Sequence, residues 1–295
     1  MTSTASPSLS VVISTRDRVS EILSNIDGLK RQVAAVGGEL IVVSGAPDDD
    51  DTTPGDVRVR RLPETSVFDC RAAGVSLAAA DIVALTEDHC VHPDDWCARI
   101  LEDFARNRDL VLLGGAVANG STARLEDRMN YWMTFATFAP GQVTARHPCI
   151  AQFAVRKSAL ELPLQPGALE SAVIQKFQKR PGAILVDPKL EVRHDQSHGF
   201  WNTFAVHFHN GRATGGLSSR RPGGRNLSVF QSLGWAWSDS RAHLRRTAAA
   251  FRAGGKSRLA TAGYLLLILP LVIAHGAGEL VGYRTGPGKS AERLV

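Results

Sequence analysis

The stretch Asp81-Ile-Val-Ala-Leu-Thr-Glu-Asp-His-Cys90 constrains the fold of this chain more than any other. A short apolar run ends, without a spacer, in Glu87, Asp88 and His89. An apolar run of this length fits a β-strand buried on both faces, which needs a layer of helices on each side. In open α/β sheets ligands sit beyond the carboxyl ends of the strands, where two carboxylates and an imidazole could hold a hard divalent cation and, through it, a diphosphate. The alternative is a polar loop leading into the helix that starts near Pro93-Asp94-Asp95-Trp96.

The flanking sequence repeats the alternation. Leu9 to Ser14 is a strand-like run ending in Thr15-Arg16-Asp17-Arg18, and Val19, Ile22, Leu23, Ile26 and Leu29 then recur at helical spacing. Gly37-Gly38 stops that helix, and Glu39 to Ser44 reads as a second strand. The aspartates of the 47–51 loop read as a solvated turn, Val57 to Arg60 as a short third strand, and Arg71 to Ala80 as a small-residue helix. This order predicts an α/β fold with a mostly parallel, Rossmann-like sheet. The loop after the first strand carries no glycine, which excludes the G-x-G-x-x-G dinucleotide fold and the phosphate loop expected of a nucleotidyltransferase.

Four pieces occur in one register: Val11-Val-Ile-Ser-Thr-Arg16, Glu39-Leu-Ile-Val-Val43, Arg71-x-x-Gly74 leading to Ala80-Asp-Ile-Val83, and an acidic triplet nine residues before Trp96. Together they resemble the family-two nucleotide-sugar glycosyltransferases of GT-A fold, sharply to about residue 115 and less so to about 215. The resemblance implies donor contacts from Thr15, Arg16, Ser44, Arg71, Glu87 and Asp88. It implies a divalent metal, Mn2+ or Mg2+, at Asp88, His89 and His194. Ser44 stands where the family usually has an aspartate on the nucleotide base, and His89 where its metal motif ends in aspartate. Imidazole suits manganese or zinc better than magnesium, so His89 either biases the metal or touches the diphosphate directly.

The same likeness covers the acceptor half. Ala151 to Leu160 resembles the family's acceptor-side strand, and Glu170 lies twelve residues before Gly182, as the family's catalytic acid does. Glu170 would be the general base, with Ser171 in place of the usual aspartate; otherwise it is a helix-start residue favoured by the macrodipole. Ala183 to His194 reads as strand, turn, strand, with His194 matching a histidine of the metal or diphosphate site.

The chain of 295 residues can bury a substantial core, expected over residues 9–215 behind a disordered leader at 1–8. Its four cysteines form no C-x-x-C pair and read as reduced thiols. From Arg212 to Arg258 there are nine arginines and one lysine against one acid, Asp239, with Phe230, Trp235, Trp237 and Phe251 interleaved. That composition predicts an interfacial segment at 216–258, drawn to anionic lipid. Leu259 to Ala274 carries no charge, and 259–283 is expected to be a membrane-associated helix or hairpin, kinked by Pro270, ahead of a polar 284–295. A buried core helix is the alternative, and a nucleic-acid-binding tail is not expected because the basic run leads into an apolar one.

These readings combine into a membrane-associated, inverting glycosyltransferase on the cytoplasmic face of the cell membrane. Its partners would be a nucleotide-sugar donor and a lipid-linked or glycan acceptor of cell-envelope polysaccharide or glycolipid synthesis. The rival is an inactive partner or scaffold that keeps the sheet. Homo-oligomerisation stays open.

Overall fold

The computed structural model describes residues 6–47, 52–149, 151–160, 169–218 and 228–294, with only the backbone described for residues 169–172, 217 and 218. Most of the expected leader, the aspartates at 48–51 and the arginines at 220, 221 and 225 lie outside the described residues. In chain order the first elements are β1 (Ser10–Thr15), α1 (Val19–Ala35), β2 (Glu39–Ser44), β3 (Arg58–Arg61), α2 (Val67–Leu77) and β4 (Ile82–Glu87). There follow β5 (Cys90–Val91), α3 (Trp96–Arg106), β6 (Leu112–Asn119), α4 (Leu125–Phe135), β7 (Gln152–Arg156), α5 (Leu169–Phe177) and β8 (Ile184–His194). The last helices are α6 (Phe200–Ser218), α7 (Val229–Ala253) and α8 (Arg258–Thr285). They divide into two compact units, Met1–Ala118 with Ala145–Asp195, and Asn119–Thr144 with Gln196–Val295.

In the first unit the described strands form one eight-stranded sheet in the order β3-β2-β1-β4-β7-β6-β8-β5. It is parallel from β3 to β4 and antiparallel where β7 joins β4 and β6 and where β5 joins β8. Val12, Ile41, Val43, Val75, Leu85 and Phe153 form its core between sheet and helices. Gly74 lets α2 lie directly on β1, since a Cβ there would come 2.2 Å from Val12 Cγ1. Ser66 caps α2 by accepting the Asp69 N–H, so the helix begins four residues ahead of the expected Arg71. β8 is one 11-residue strand, whereas Asp187-Pro188 reads in sequence as a turn. Pro188 is tolerated at an exposed position, and the Asp187 carboxylate accepts the Lys189 N–H in place of a ladder partner.

The second unit is helical. α8 packs along α6, α7 and α4, so the apolar run is a structural member of this unit; its inner face supplies Ile268, Leu271 and Val272 to a core with Met129 and Met133. Gly211-x-x-x-Gly215 of α6 faces Gly278-x-x-x-Gly282 of α8. A Cβ on Gly211 would lie 2.0 Å from the His275 carbonyl oxygen, and one on Gly278 2.0 Å from that of Phe208. Small residues at both crossings let the backbones touch. Trp132, Phe251 and Tyr264 stack where α4, α7 and α8 meet, and the Tyr283 hydroxyl donates to Asp239 at 2.9 Å.

Candidate metal and donor site

The site grows from two strand registers within the first unit. β1 and β4 pair in parallel with Ser14 opposite Glu87, so their carboxyl ends finish side by side at Thr15 and Asp88. β5 pairs antiparallel with β8, Cys90 opposite His194, and the Asp195 N–H donates to the His89 carbonyl at 3.0 Å. That second register carries His194 across 105 residues of sequence to His89, their Nε2 atoms 2.9 Å apart.

Trp96 and Gln152 brace the strands behind it. Gln152 is fully buried; it accepts from Trp96 Nε1 at 2.8 Å and donates to the Ala116 and Leu190 carbonyls at 2.7 and 2.9 Å. The Gln152 amide thereby ties β6, β7, β8 and α3 together with every polar atom satisfied. Sequence reasoning passed over this residue, although a lone glutamine inside the apolar run Ala151 to Val155 was the available signal.

The expectation put Asp88, His89 and His194 on the metal. Among the described residues the convergent set is Glu87, His89 and His194, whose ligand atoms all lie within 4.8 Å of one another. Asp88 is engaged elsewhere: one carboxylate oxygen accepts the Thr15 hydroxyl and the other the His89 Nδ1–H at 2.8 Å. This carboxylate–imidazole bond fixes the ring and turns Nε2 toward Glu87 and His194, the outer-shell arrangement common around metal-binding histidines.

Charge is densely packed here. Arg71, 1% exposed, donates from its guanidinium to Glu87 at 2.7 Å, and the other Glu87 oxygen lies 3.2 Å from His194 Nε2 and 3.3 Å from His89 Nε2. Burial would raise the Glu87 pKa, but hydrogen bonds from His194 and His89 and the charge of Arg71 outweigh it and hold the carboxyl well below the usual range. Burial likewise opposes charge on His89, yet the bonds to Asp88 and Glu87 prevail and push it up to about 10. An imidazole that holds a proton this firmly between carboxylates is also placed to exchange it for a divalent cation. The two-imidazole, one-carboxylate donor set therefore fits a transition metal.

Other expected residues are placed as follows. Ser44 is buried, its hydroxyl directed at the Asp17 carbonyl and accepting the Ala46 N–H. Arg16 is half-buried at the end of β1. Glu170 stands in the first turn of α5, and its side chain lies outside the described residues. All four cysteines are free and buried.

The family model described as Glycosyl transferase family 2 matches residues 10–162, more than half of the chain and all of the strands up to β7. The chain belongs to glycosyl transferase family 2. No curated protein matches this glycosyltransferase. Among solved structures, the mannosyltransferase PcManGT from Pyrobaculum calidifontis, in complex with GDP-Man and Mn2+, is 15% identical, with a TM-score of 0.56 over 96% of this chain and 88% of that one. Glucosyl-3-phosphoglycerate synthase from Mycobacterium tuberculosis, in complex with Mn2+, UDP-glucose and phosphoglyceric acid, is 17% identical over 65% of this chain and 73% of that one, with a TM-score of 0.46. The likeness to the mannosyltransferase establishes the GT-A fold for the glycosyltransferase described here.

Proposed function

We propose that this glycosyltransferase moves a sugar from a nucleotide-diphosphate donor to a hydroxyl of a lipid-linked or glycan acceptor, with inversion and with a divalent metal. The observation that carries this reading is the convergence of Glu87, His89 and His194 beyond the carboxyl end of β4, within 4.8 Å of one another. The mannosyltransferase of like fold was solved with GDP-Man and Mn2+, which supports both donor class and metal. Glu87, His89 and His194 would hold the cation, and two imidazoles favour Mn2+ over Mg2+. Bound there, the metal would supply positive charge against the departing nucleoside diphosphate, where negative charge grows in the transition state.

The protein's own groups do the rest. Asp88, braced by Thr15, keeps the His89 ring in its ligating tautomer and contributes to donor binding. Arg71 neutralises Glu87, and with Thr15, Arg16 and the Ser44 turn it faces the nucleotide and phosphates. Glu170 takes the proton of the acceptor hydroxyl as that oxygen forms its bond to the anomeric carbon and the bond to the donor phosphate oxygen breaks. One displacement of this kind inverts the anomeric centre. The helical unit would hold the enzyme on the cytoplasmic face of a membrane, where nucleotide sugars meet a lipid-linked acceptor; free buried cysteines agree with a reducing compartment.

A donor-hydrolysis screen of the purified protein against a panel of nucleotide sugars, with Mn2+, with Mg2+ and with chelator, tests the reading. Hydrolysis of one donor that chelator abolishes is the expected result. Turnover indifferent to metal, or binding of no nucleotide sugar at all, would defeat it. Glu170→Gln should lower transfer about a hundredfold while donor binding persists, on the order expected for a lost general base.

A further inference from the structure

Among the described residues, one helix, α8, with 28 residues, is long and apolar enough by composition to cross a membrane. Its surroundings in the helical unit say otherwise. Between Arg258 at its start and Arg284-Thr285 at its end, α8 leaves exposed Leu259, Ala262, Gly263, Leu266, Leu269, Pro270, Ile273 and Ala277. Spaced three and four apart, they make one stripe about 27 Å long at about 1.5 Å per residue. A solvated helix carries polar residues on that face; this stripe has none. Lys256 and Arg258 stand exposed at one end of the stripe and Arg284 at the other.

α7 runs antiparallel beside α8 and sets the depth of every level. Phe251 stacks on Tyr264 with ring centroids 4.7 Å apart, and Trp235 meets Tyr283 at 5.6 Å. Between those contacts Ser240 Oγ lies 3.0 Å from where a Cβ on Gly276 would stand. Arg241, Arg245 and Arg246, all exposed, therefore fall beside the segment from Tyr264 to Gly276, the middle of α8. Were α8 to cross a bilayer, these three guanidiniums would lie at the centre of the hydrocarbon, the costliest place for a charge. Lying flat removes the conflict, because the same arginines reach anionic head groups while the stripe enters the acyl layer. Exposed Phe230, Leu233 and Trp237, at positions three and four apart on α7, add apolar and aromatic surface beyond the arginines.

We propose that the α7–α8 hairpin is a monotopic anchor, lying in the plane of an anionic bilayer with both ends of α8 on the same side. The proposal rests on the membrane reading above and adds its geometry.

The test uses the full chain on sealed vesicles of phosphatidylcholine with phosphatidylglycerol. Lys256→Cys and Arg284→Cys are made singly, and the bound protein is treated from outside with a membrane-impermeant maleimide; the native cysteines are buried. Both variants are expected to label before detergent is added. Protection of either one until detergent is added means that α8 spans, which overturns the in-plane anchor but leaves membrane association standing. Flotation decides the parent reading separately: wild-type protein that does not float with these vesicles removes both. Leu266→Asp with Ile273→Asp, at exposed positions, should cut the fraction bound at high salt about tenfold or more and leave donor hydrolysis unchanged. If the lipid-free protein is instead a dimer that this variant dissolves, with lipid binding unaltered, the stripe is a contact between copies and the anchor is overturned.

Discussion

Replacing Glu87 by glutamine removes one charge from the most crowded part of the molecule, and the structure gives the size of the effect. Arg71 is 1% exposed, and its guanidinium lies 2.7 Å from the Glu87 carboxylate, whose side chain is 13% exposed. With charge centres about 4 Å apart, the attraction is worth about 4 kcal/mol at an effective dielectric constant near 20. Removing one partner of a buried pair costs about 3–5 kcal/mol, because the survivor keeps its desolvation penalty. The glutamine oxygen still accepts one hydrogen bond from Arg71, so the lower end, about 3 kcal/mol, is expected. For a unit of this size that lowers the melting temperature by roughly 6–12 °C. The assay is thermal unfolding in chelator, with Arg71→Met combined with Glu87→Gln as the control. The double variant should be more stable than Glu87→Gln alone, since the buried cation is removed together with the carboxylate that balanced its charge. The pH profile gives a second check. The depressed folded pKa of Glu87 contributes stability fully present above its unfolded value, roughly 4.3, and lost as pH falls through the folded one. The variant should lack that acid-side loss. A destabilisation below about 1 kcal/mol, or a double variant less stable than the single, would refute the account of a buried charge held by its partner.

Asp88→Asn should leave the fold intact and lower donor turnover about tenfold to a hundredfold by releasing the His89 ring from its fixed tautomer; unchanged donor hydrolysis would sink that role. Because His89 holds its proton up to about 10, binding a cation at its Nε2 must displace one proton. Mn2+ affinity, measured by calorimetry, should therefore rise about tenfold per pH unit across neutral pH, and a flat profile would place the metal elsewhere. In the helical unit, Gly278→Ala should cost about 3 kcal/mol in thermal unfolding, since its Cβ would meet the Phe208 carbonyl. Gly263→Ala, with open space around its Cβ, should instead gain about 1 kcal/mol from helix propensity. Equal effects of the two changes would mean that the α6–α8 crossing is not close-packed.

What could be read from sequence follows the range of the interactions involved. β1, β2, β4 and the Glu87-Asp88-His89 terminus are marked by apolar runs and an abrupt change of polarity, both local signals. His194 could be found only through its spacing from Glu170 and Gly182 in the family likeness, because the contact that places it spans the length of the domain. Whether Glu87 or Asp88 joins the two Nε2 atoms of His89 and His194 depends on contacts across the β1–β4 register, where the Thr15 hydroxyl engages Asp88, and no local pattern reports that. Asp187-Pro188 misleads for a related reason: the dipeptide favours a turn in isolation, and the exposed place it occupies in β8 is a tertiary fact. The run at Leu259–Ala274 shows its hydrophobicity openly, yet its division into a packed face and an exposed one needs the partner helices. The facing glycine pairs of α6 and α8 are visible as spacings, but only their opposition gives them a meaning.

The pairing of Cys90 with His194 has a consequence for how the protein matures in the cell. A chain made from its N-terminus can form β1, α1, β2 and β4 early, so Glu87, Asp88 and His89 are gathered while much of the domain is still unsynthesised. His194, the third group of the cluster, lies 105 residues beyond His89 and arrives only when β8 has joined the sheet between β6 and β5. Closing so long a loop is slow compared with local folding. Acquisition of the cation would then be among the last events of assembly, and a nascent or truncated chain would present carboxylates with no complete coordination set. Metal uptake followed in real time during refolding would serve as a clock for completion of the sheet.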